Sequence, residues 1–270
     1  SRYVDEAYDT EEEELDTFWK RFFIEHTFPQ KPILYVTSDY ACQVVRRNRG
    51  WYEEHFELCM ASSYIIDSFI DKNIAAIEAV KHGLEVPKTQ EIHGDSDVDY
   101  ICHSFAFPVI VKPVTFRDHR DAGFKTQICK TEWDLRQFLQ LYLSKEINLQ
   151  CQEYIKGEDK DCIFYQFYRD DNGHITECMG EKTLQTNGIM TIGTTKYDKQ
   201  LKDICHSFLE SIDYVGIGGI EFKRNDDKYF FIEMSTRTEG FLAISDMAGV
   251  SLAEASYSDR NGRVFIEKNR

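Results

Sequence analysis

Residues 217–237, IGGIEFKRNDDKYFFIEMSTR, place two glutamates where a β-hairpin brings them face to face. If residues 226–228 form a three-residue turn, the flanking strands pair Glu221 with Glu233. Opposed side chains of an antiparallel pair have Cβ atoms roughly 4.5–5.5 Å apart, and like charges there are destabilising unless a cation lies between them. A bound Mg²⁺ is such a cation. The hairpin therefore predicts a metal site on one face.

The other positions of the hairpin support a two-faced strand pair. The period of two puts Ser235 and Arg237 on the face of Glu233, and it points Ile220, Phe222, Ile232 and Met234 towards a core. A half-exposed strand pair with a solvated acidic face, partly offset by Lys223, explains the same pattern equally well. A turn one residue shorter would place the two glutamates diagonally.

The composition indicates a packed globular protein. The chain has 270 residues, with 42% hydrophobic and 14% aromatic residues, which is enough for one large domain or two smaller ones. A formal charge of −15 argues against binding a nucleic-acid backbone. Any anionic ligand must therefore meet a local basic pocket.

The cysteines and the apolar runs indicate the compartment. The eight cysteines are scattered without a CxxC pair, so we interpret them as reduced, mostly buried thiols, and a zinc site is disfavoured. The sequence shows no signal peptide and no apolar run near the roughly 20 residues of a membrane span. We expect a cytoplasmic protein without a membrane partner.

The order of elements predicts an α/β fold. A helix over 11–26, a strand over 32–36 and a helix over 39–48 form a partial α/β layer. A helix over 71–82 ends at Gly83. Further on, strands over 149–155, 161–168 and 174–181, a helix capped by Asp198, short helices over 240–247 and 251–257, and a strand over 264–267 are predicted.

Two basic features lie between these elements. Lys112 lies within an apolar strand over 107–113, either as an edge residue that reaches water or as a phosphate ligand, and the strand alone slightly favours the edge. A following loop carries Arg117, His119, Arg120 and Lys125. This basic patch fits a polyphosphate, or else it is a solvated loop.

Four segments resemble the ATP-grasp superfamily: DKNIAAIEAVKHGLEVP, FPVIVKP, QEYIKGED and FFIEMSTR, in this order. The resemblance covers roughly residues 70–250 and implies an α+β fold of two lobes. It places an ATP-grasp domain over 71–270, with a small lobe at about 105–180 and the remainder as the large lobe. Residues 1–70 are then part of a preceding α/β domain. The segment YVTSDYACQVVRRNRGWYEEHF is similar to the amino-acid ligases that include D-aspartate ligase.

The resemblance also implies a nucleotide site. Lys72 and Lys112 are expected on the α- and β-phosphates, and Lys182 is expected to reach the phosphates as a catalytic residue. The adenine slot is expected to be lined by Gln152, Glu153, Tyr154 and Ile155, with Glu158 or Asp159 near the ribose.

The metal and substrate ends follow from the same resemblance. Glu221 and Glu233 are expected to bind two Mg²⁺ ions, or Mn²⁺, that bridge the ATP phosphates. Ser235 stands where the family has a metal-binding asparagine, so we expect weaker affinity for the second ion. Arg237 is expected to face the substrate carboxylate or the acyl phosphate as a catalytic residue.

The activity implied by the resemblance is an ATP-dependent carboxylate–amine ligase that forms an amide or peptide bond through an acyl phosphate. The implied partners are small-molecule carboxylate and amine substrates, with an amino acid or a peptide carboxylate expected. The resemblance also allows a homodimer. Two alternatives stay open at this point. One is a carboxylase or carbamoyl-phosphate-type subunit, and the other is a nucleotide-binding module without turnover.

Overall fold

The computed structural model describes residues 4–10, 14–186 and 189–262, which form helices around three β-sheets. The strand predicted over 264–267 lies outside the described residues. No helix among the described residues is long and apolar enough to cross a bilayer.

The amino-terminal region contributes helices and one short parallel strand pair. Its elements are α1 (Leu15–Glu25), β1 (Ile33–Leu34), α2 (Asp39–Arg47), α3 (Arg49–His55), β2 (Glu57–Leu58) and α4 (Ser63–Phe69). β1 pairs with β2 in parallel, as the α/β prediction requires. Val36, Tyr52 and Phe56 of this region pack into the same core as Ile220 and Phe222. The predicted domain boundary near residue 70 therefore divides a shared core, and it stays a prediction.

The central part of the chain forms a four-stranded antiparallel sheet in the order β3-β6-β4-β5. Its elements are α5 (Lys72–Lys81), β3 (Thr89–Ile92), α6 (Asp95–Ser104), β4 (Val109–Pro113), α7 (Phe116–Ala122), β5 (Gln127–Cys129), α8 (Glu132–Gln140) and β6 (Leu149–Glu153). Val109 and Val111 pack with Leu135 and Leu139 of α8 in a separate core. Because strand side chains alternate, Ile110 and Lys112 point to the opposite face.

The remaining elements build a five-stranded antiparallel sheet in the order β11-β10-β7-β8-β9. A 3₁₀ turn (Asp159–Asp161) leads into β7 (Cys162–Arg169), β8 (Ile175–Thr186), β9 (Ile189–Thr195), α9 (Lys199–Ser211), β10 (Gly216–Asn225), β11 (Lys228–Ser235), α10 (Ala243–Met247) and α11 (Leu252–Arg260). Phe208 of α9 packs with Phe222 and Phe231 beneath this sheet. The predicted hairpin around Gly173 is confirmed, and this glycine has φ +85°.

The limits of the four-stranded sheet differ from the small lobe placed at about 105–180. That sheet runs over 89–153, so it begins earlier and ends before β7. β7 pairs with β10 along its whole length, and β8 pairs with β7. Residues 162–180 therefore belong to the five-stranded sheet.

The amino-terminal cap of α8 offers a test of local stability. Thr131 Oγ1 accepts from the backbone N–H of Asp134 at 3.2 Å, and the Asp134 carboxylate accepts from the Thr131 N–H at 3.0 Å. We expect Thr131→Ala to lower the free energy of unfolding by about 1 kcal/mol, because the N–H of Asp134 loses its acceptor and the capping box is broken. Urea unfolding measures the change. Thr131→Ser keeps the hydroxyl and should retain most of the stability, so equal losses in both variants would contradict the capping argument.

Candidate functional site

The two glutamates of the β10–β11 hairpin are directly paired, as the sequence predicts. Glu221 lies opposite Glu233. The predicted three-residue turn is wrong, because Asn225 pairs with Lys228 across a two-residue turn. Asp226 in this turn has φ +52°, a left-handed conformation that aspartate tolerates. A register shift between Glu221 and Phe222 then restores the pairing of the glutamates.

This register shift also changes which side chain enters the core. Phe222 pairs with Phe231, so Ile232 is the extra residue of a β-bulge. Phe231 is buried in the core, whereas Ile232 is only partly buried and lines a cavity on the glutamate face. The prediction that Ile232 points to the core is therefore wrong, and the bulge gives the cavity an apolar wall.

The cavity lies between the four-stranded and the five-stranded sheets and has a volume of about 270 Å³. It brings together most of the residues predicted for the nucleotide and metal site: Lys72, Lys112, Gln152, Glu153, Tyr154, Ile155, Glu221 and Glu233. It also contains Lys125 of the predicted basic loop, and it adds residues that were not predicted for the site: Pro87, Ile110, Thr126, Ile128, Cys162, Gln185, Phe222, Lys223 and Ile232. Apolar side chains of both sheets thus face each other, with lysines and glutamates in the same cavity.

Lys112 is buried and does not reach water at the edge of its sheet. β4 lies between β5 and β6, where β5 pairs with residues 109–111 and Lys112 itself pairs with Gln150 of β6. Its side chain is 8% exposed, and Lys112 Nζ donates to Gln152 Oε1 at 2.6 Å. Burial and, after it, the neighbouring charge of Lys72 lower the pKa of Lys112 to about 8. An anion in the cavity would favour its charged form.

Two further lysines, Lys72 and Lys125, add positive charge to the cavity. Lys72 is the first residue of α5, and Lys125 lies in the loop after α7. The pKa of His119 is lowered by burial and then by the charges of Lys72 and Lys125, which shows that the three groups are close. The basic loop predicted from the sequence therefore contributes Lys125 to the cavity.

The paired glutamates differ in their electrostatic surroundings. For Glu233, burial opposes ionisation, but the charges of Lys72, Lys125, Lys182 and Lys112 together lower the pKa of its carboxyl. For Glu221, burial and the charge of Glu233 raise the pKa, against the effect of Lys182. The two carboxylates therefore titrate as a pair, with the negative charge favoured on Glu233.

Lys182 contacts one of these glutamates. Its ammonium group forms an ion pair with the Glu221 carboxylate, and its side chain is 2% exposed. Lys182 lies on β8 and reaches Glu221 across β7. Lys182 thus lies beside one of the paired glutamates, outside the side chains that line the cavity, and its predicted contact with phosphates stays a prediction.

The donor set fits a magnesium ion that is held jointly with a nucleotide. Mg²⁺ is commonly bound by one or two carboxylates together with substrate phosphates and water. Glu221 and Glu233 supply these two carboxylates on one face of the hairpin. The described part of the chain holds no group of three or more His, Cys, Asp or Glu side chains arranged for a metal. Phosphate oxygens would have to complete the coordination.

Sequence reasoning missed a third carboxylate next to this pair. Glu239 Oε1 accepts from Ser235 Oγ at 3.4 Å, and Glu239 Oε2 accepts from Gln166 Nε2 at 3.4 Å. Burial and the charges of Glu221 and Glu233 raise the pKa of Glu239 to about 8. Glu239 follows the last strand residue by four positions, so no strand period marks it. Ser235 thus contacts a carboxyl group and does not line the cavity, and its predicted metal contact stays a prediction.

Arg237 has a partner from the amino-terminal region. Its Nε donates to Asp39 Oδ1 at 2.6 Å, and its Nη2 donates to Asp39 Oδ2 at 3.3 Å. Asp39 is the first residue of α2, and the sequence marked it only as a helix start. Arg237 does not line the cavity, so its predicted contact with a substrate stays a prediction. The bidentate contact fixes the plane of its guanidinium group.

The two acids predicted near the ribose lie behind the cavity wall. Asp159 Oδ2 accepts from the backbone N–H of Gln185 at 2.9 Å, and Gln185 lines the cavity. The Glu158 side chain is exposed and lies 3.0 Å from Lys160 Nζ. Asp159 thus positions a residue of the cavity, and the predicted ribose contacts of both acids stay predictions.

Comparisons with known proteins identify the family of this chain. A family model for the ATP-grasp domain matches residues 78–241. An N5-carboxyaminoimidazole ribonucleotide synthase of Synechococcus elongatus is 26% identical over 179 residues, which are 64% of this chain and 44% of that protein. The chain therefore spans less than half the length of this curated relative.

Solved structures share the fold at low sequence identity. The N5-carboxyaminoimidazole ribonucleotide synthetase of Thermus thermophilus has a TM-score of 0.72 and 16% identity, over 94% of this chain and 67% of that chain. A biotin carboxylase of Campylobacter jejuni has a TM-score of 0.65 and 18% identity, over 82% of this chain and 53% of that chain. This structural likeness confirms the predicted α+β fold. The narrower similarity to amino-acid ligases stays a prediction. The family model covers more than half of the sequence. The chain belongs to the ATP-grasp family.

Proposed function

We propose that this chain catalyses, or supplies the ATP-binding part of, an ATP-dependent ligation of a carboxylate to an amine. The observation that supports the proposal is one cavity in which an apolar slot, the lysines Lys72, Lys112 and Lys125, and a pair of opposed glutamates meet. The apolar slot suits a purine, and the lysines suit phosphates. The glutamates suit the divalent ion that accompanies a nucleoside triphosphate.

The adenine would lie between apolar side chains of the two sheets. Ile110 and Ile128 come from the four-stranded sheet, and Ile232 comes from the five-stranded sheet. β6 ends at Glu153, so the backbone of Tyr154 and Ile155 has left the regular ladder at the cavity wall. Backbone groups there can read the edge of a purine ring.

The phosphates would lie among Lys72, Lys112 and Lys125. These lysines lie close enough to Glu233 to lower the pKa of its carboxyl, so the phosphate position and the metal position adjoin. A bound Mg²⁺ would neutralise the charge of the phosphate oxygens during phosphoryl transfer. The lysines would hold the nucleotide in line with the attacking carboxylate.

The ligation itself needs no protein nucleophile. ATP converts the substrate carboxylate to an acyl phosphate, ADP leaves, and the amine then displaces phosphate to form the amide. The chain has to position both substrates and stabilise negative charge. We assign Arg237, whose guanidinium group is oriented by Asp39, to the acyl phosphate. The expected substrates are amino acids or a peptide carboxylate.

Carboxylation is the second candidate, with bicarbonate as the activated carboxylate. It is favoured by the similarity to an N5-carboxyaminoimidazole ribonucleotide synthase, which covers 64% of this chain. Both candidates use the same cavity and release ADP. They differ in the carboxylate that stimulates this release.

The deciding experiment is ADP release from Mg²⁺-ATP by the full chain. D- and L-amino acids, short peptides and bicarbonate are added singly and in carboxylate–amine pairs. We expect release that depends on one carboxylate and one amine, since the acyl phosphate forms only when a carboxylate is bound. A Glu233→Gln variant, tested in parallel, shows whether the release comes from this site. ATP binding by calorimetry without stimulation by any pair would refute the ligase and favour a nucleotide-binding module.

A further inference from the structure

A second cavity of about 380 Å³ lies beside the nucleotide cavity, on the side of the amino-terminal region. Its walls come from α2, the end of α4, the start of α5 and the start of α7. The two cavities adjoin along the chain, because Asp71 lines the second cavity and Lys72 lines the first.

The second cavity concentrates positive charge in an acidic protein. Arg46 and Arg47 of α2 and Arg117 of α7 all line it, although the chain has a formal charge of −15. Two parts of the chain that are far apart in sequence thus bring guanidinium groups to one concave surface. Such a local field attracts anions even when the net charge repels them.

The two acids in this cavity are already engaged. Asp67 accepts from Arg46 Nη2 at 2.5 Å. Asp71 caps α5 by accepting from the backbone N–H groups of Asn73 at 2.8 Å and Ile74 at 3.1 Å. Among the described residues, neither Asp67 nor Asp71 forms an ion pair with Arg47 or Arg117.

The other two arginines keep most of their hydrogen-bonding capacity. Arg47 makes no ion pair or hydrogen bond within the described ranges of the chain. Arg117 Nε lies 3.6 Å from Asp121 Oδ2, and the Arg117 side chain is 81% exposed, so this ion pair contributes little. Both guanidinium groups can offer paired N–H donors to a planar or tetrahedral anion.

The position of the cavity connects it with the proposed reaction. α2 begins at Asp39, which binds Arg237, and its last residue is Arg47. At 1.5 Å per residue this helix is about 12 Å long, which is within reach of one small substrate molecule. On the other side, α5 begins at Lys72, whose charge acts on Glu233. The cavity therefore borders the phosphate and acyl end of the site, away from the adenine slot.

We propose that this arginine-lined cavity binds an anionic group, a phosphate or a carboxylate, carried by one of the two ligated substrates. The group binds to Arg47 and Arg117, at a distance from the atoms that react. This inference rests on the proposed function and narrows its substrate class to molecules with an additional negative group.

The test is calorimetry on the full chain with a non-hydrolysable ATP analogue and Mg²⁺ present in excess. The analogue occupies the nucleotide cavity, so added anions cannot bind to its lysines. Inorganic phosphate and succinate are the probes, and each tests one source of the anionic group. We expect at least one probe to bind, and the double variant Arg47→Gln/Arg117→Gln to raise its Kd at least tenfold, since two charge-assisted contacts are lost.

Arg136→Gln is the matched control. Arg136 is a partly exposed arginine on α8, where it pairs with Asp99 and Glu132, and it is absent from the lining of this cavity. The control should bind the probe as the wild type does. Equal affinity in the double variant and the wild type, or binding of neither probe to the wild type, would overturn the proposal.

The proposed function and this inference can be tested independently of each other. Probe binding under these conditions requires no turnover, so it can be measured whether or not ADP is released. If a substrate pair stimulates ADP release, the double variant should raise the KM of the substrate with the additional anionic group at least tenfold. Its KM for ATP should stay unchanged, because Lys72, Lys112 and Lys125 are intact. A rise in the KM for ATP alone would contradict the proposal.

Discussion

A Glu233→Gln variant should lose about a hundredfold to a thousandfold of the ADP release shown by the wild type. Glu233 is the paired glutamate that lies among the lysines of the nucleotide cavity, and its carboxylate is held in the ionised form. Glutamine keeps the size of the side chain but removes the charge that would bind Mg²⁺ and the oxygen that would hold it. Initial rates of ADP release at saturating ATP, repeated over a range of Mg²⁺ concentrations, measure the effect.

The fold of this variant is expected to stay intact, with a small loss of stability. The sequence alone suggests the opposite sign, because removal of one of two opposed carboxylates relieves their repulsion. In the structure Lys72 and Lys125 outweigh that repulsion at Glu233, so glutamine leaves these lysines less well compensated. Urea unfolding of the protein without nucleotide gives the sign of the change.

Glu181→Gln is the control for charge removal on the same sheet. Glu181 precedes Lys182 on β8 and points to the other face, where it pairs with Lys196 and Arg224. This variant should release ADP at nearly the wild-type rate. A Glu233→Gln variant with the activity of this control would refute the metal assignment.

The sequence predicted the paired glutamates because a strand pair obeys a strict period of two. The predicted pair is correct although the predicted turn is not. The turn is one residue shorter than predicted, and the bulge at Ile232 compensates for the difference. A bulge has no sequence signature of its own, because any residue can occupy the unpaired position. The pairing was therefore predictable, and the side chain that the bulge turns into the cavity was not.

The contacts that sequence reasoning missed are those made by loops and by distant segments. Asp39 and Arg237 are 198 positions apart, and nothing local to either residue marks the contact. Glu239 lies in a loop, where neither the strand period nor the helix period applies. Its carboxyl group becomes part of the site only because the chain folds back over Gly219, where an added Cβ would lie 2.3 Å from Glu239 Oε2. Tertiary packing alone decides such positions.

Lys112 could be interpreted in two ways from the sequence, and topology decided between them. A lysine in an apolar strand reaches water if the strand lies at the edge of its sheet, and it is buried if the strand lies inside. Strand order depends on pairings between segments far apart in the chain. β4 lies between β5 and β6, so the phosphate role predicted for Lys112 is compatible with its position.

A Lys112→Met variant should bind the non-hydrolysable ATP analogue with Mg²⁺ roughly 10-fold to 100-fold more weakly than the wild type near neutral pH. Methionine keeps the length and the apolar stem of the side chain, but it removes the ammonium group that would bind a phosphate oxygen. Calorimetric titration measures both affinities. Lys130→Met, at an exposed lysine of the same lobe, is the control and should bind like the wild type. A Lys112→Met variant with wild-type affinity would refute the phosphate role.

The pH dependence of this difference is a stricter test. Burial lowers the pKa of Lys112 to about 8 in the protein without ligand, whereas bound phosphates favour the ammonium form. Near pH 7 most Lys112 side chains are charged before ATP binds, but near pH 9 only about one in ten is, so binding must take up a proton. The wild-type affinity should therefore fall by about tenfold between these two pH values, relative to Lys112→Met, and the gap between the two proteins should narrow. Titrations in buffers of different ionisation enthalpy should show proton uptake near pH 9 in the wild type that the variant lacks, and equal uptake in both would locate the titrating group elsewhere.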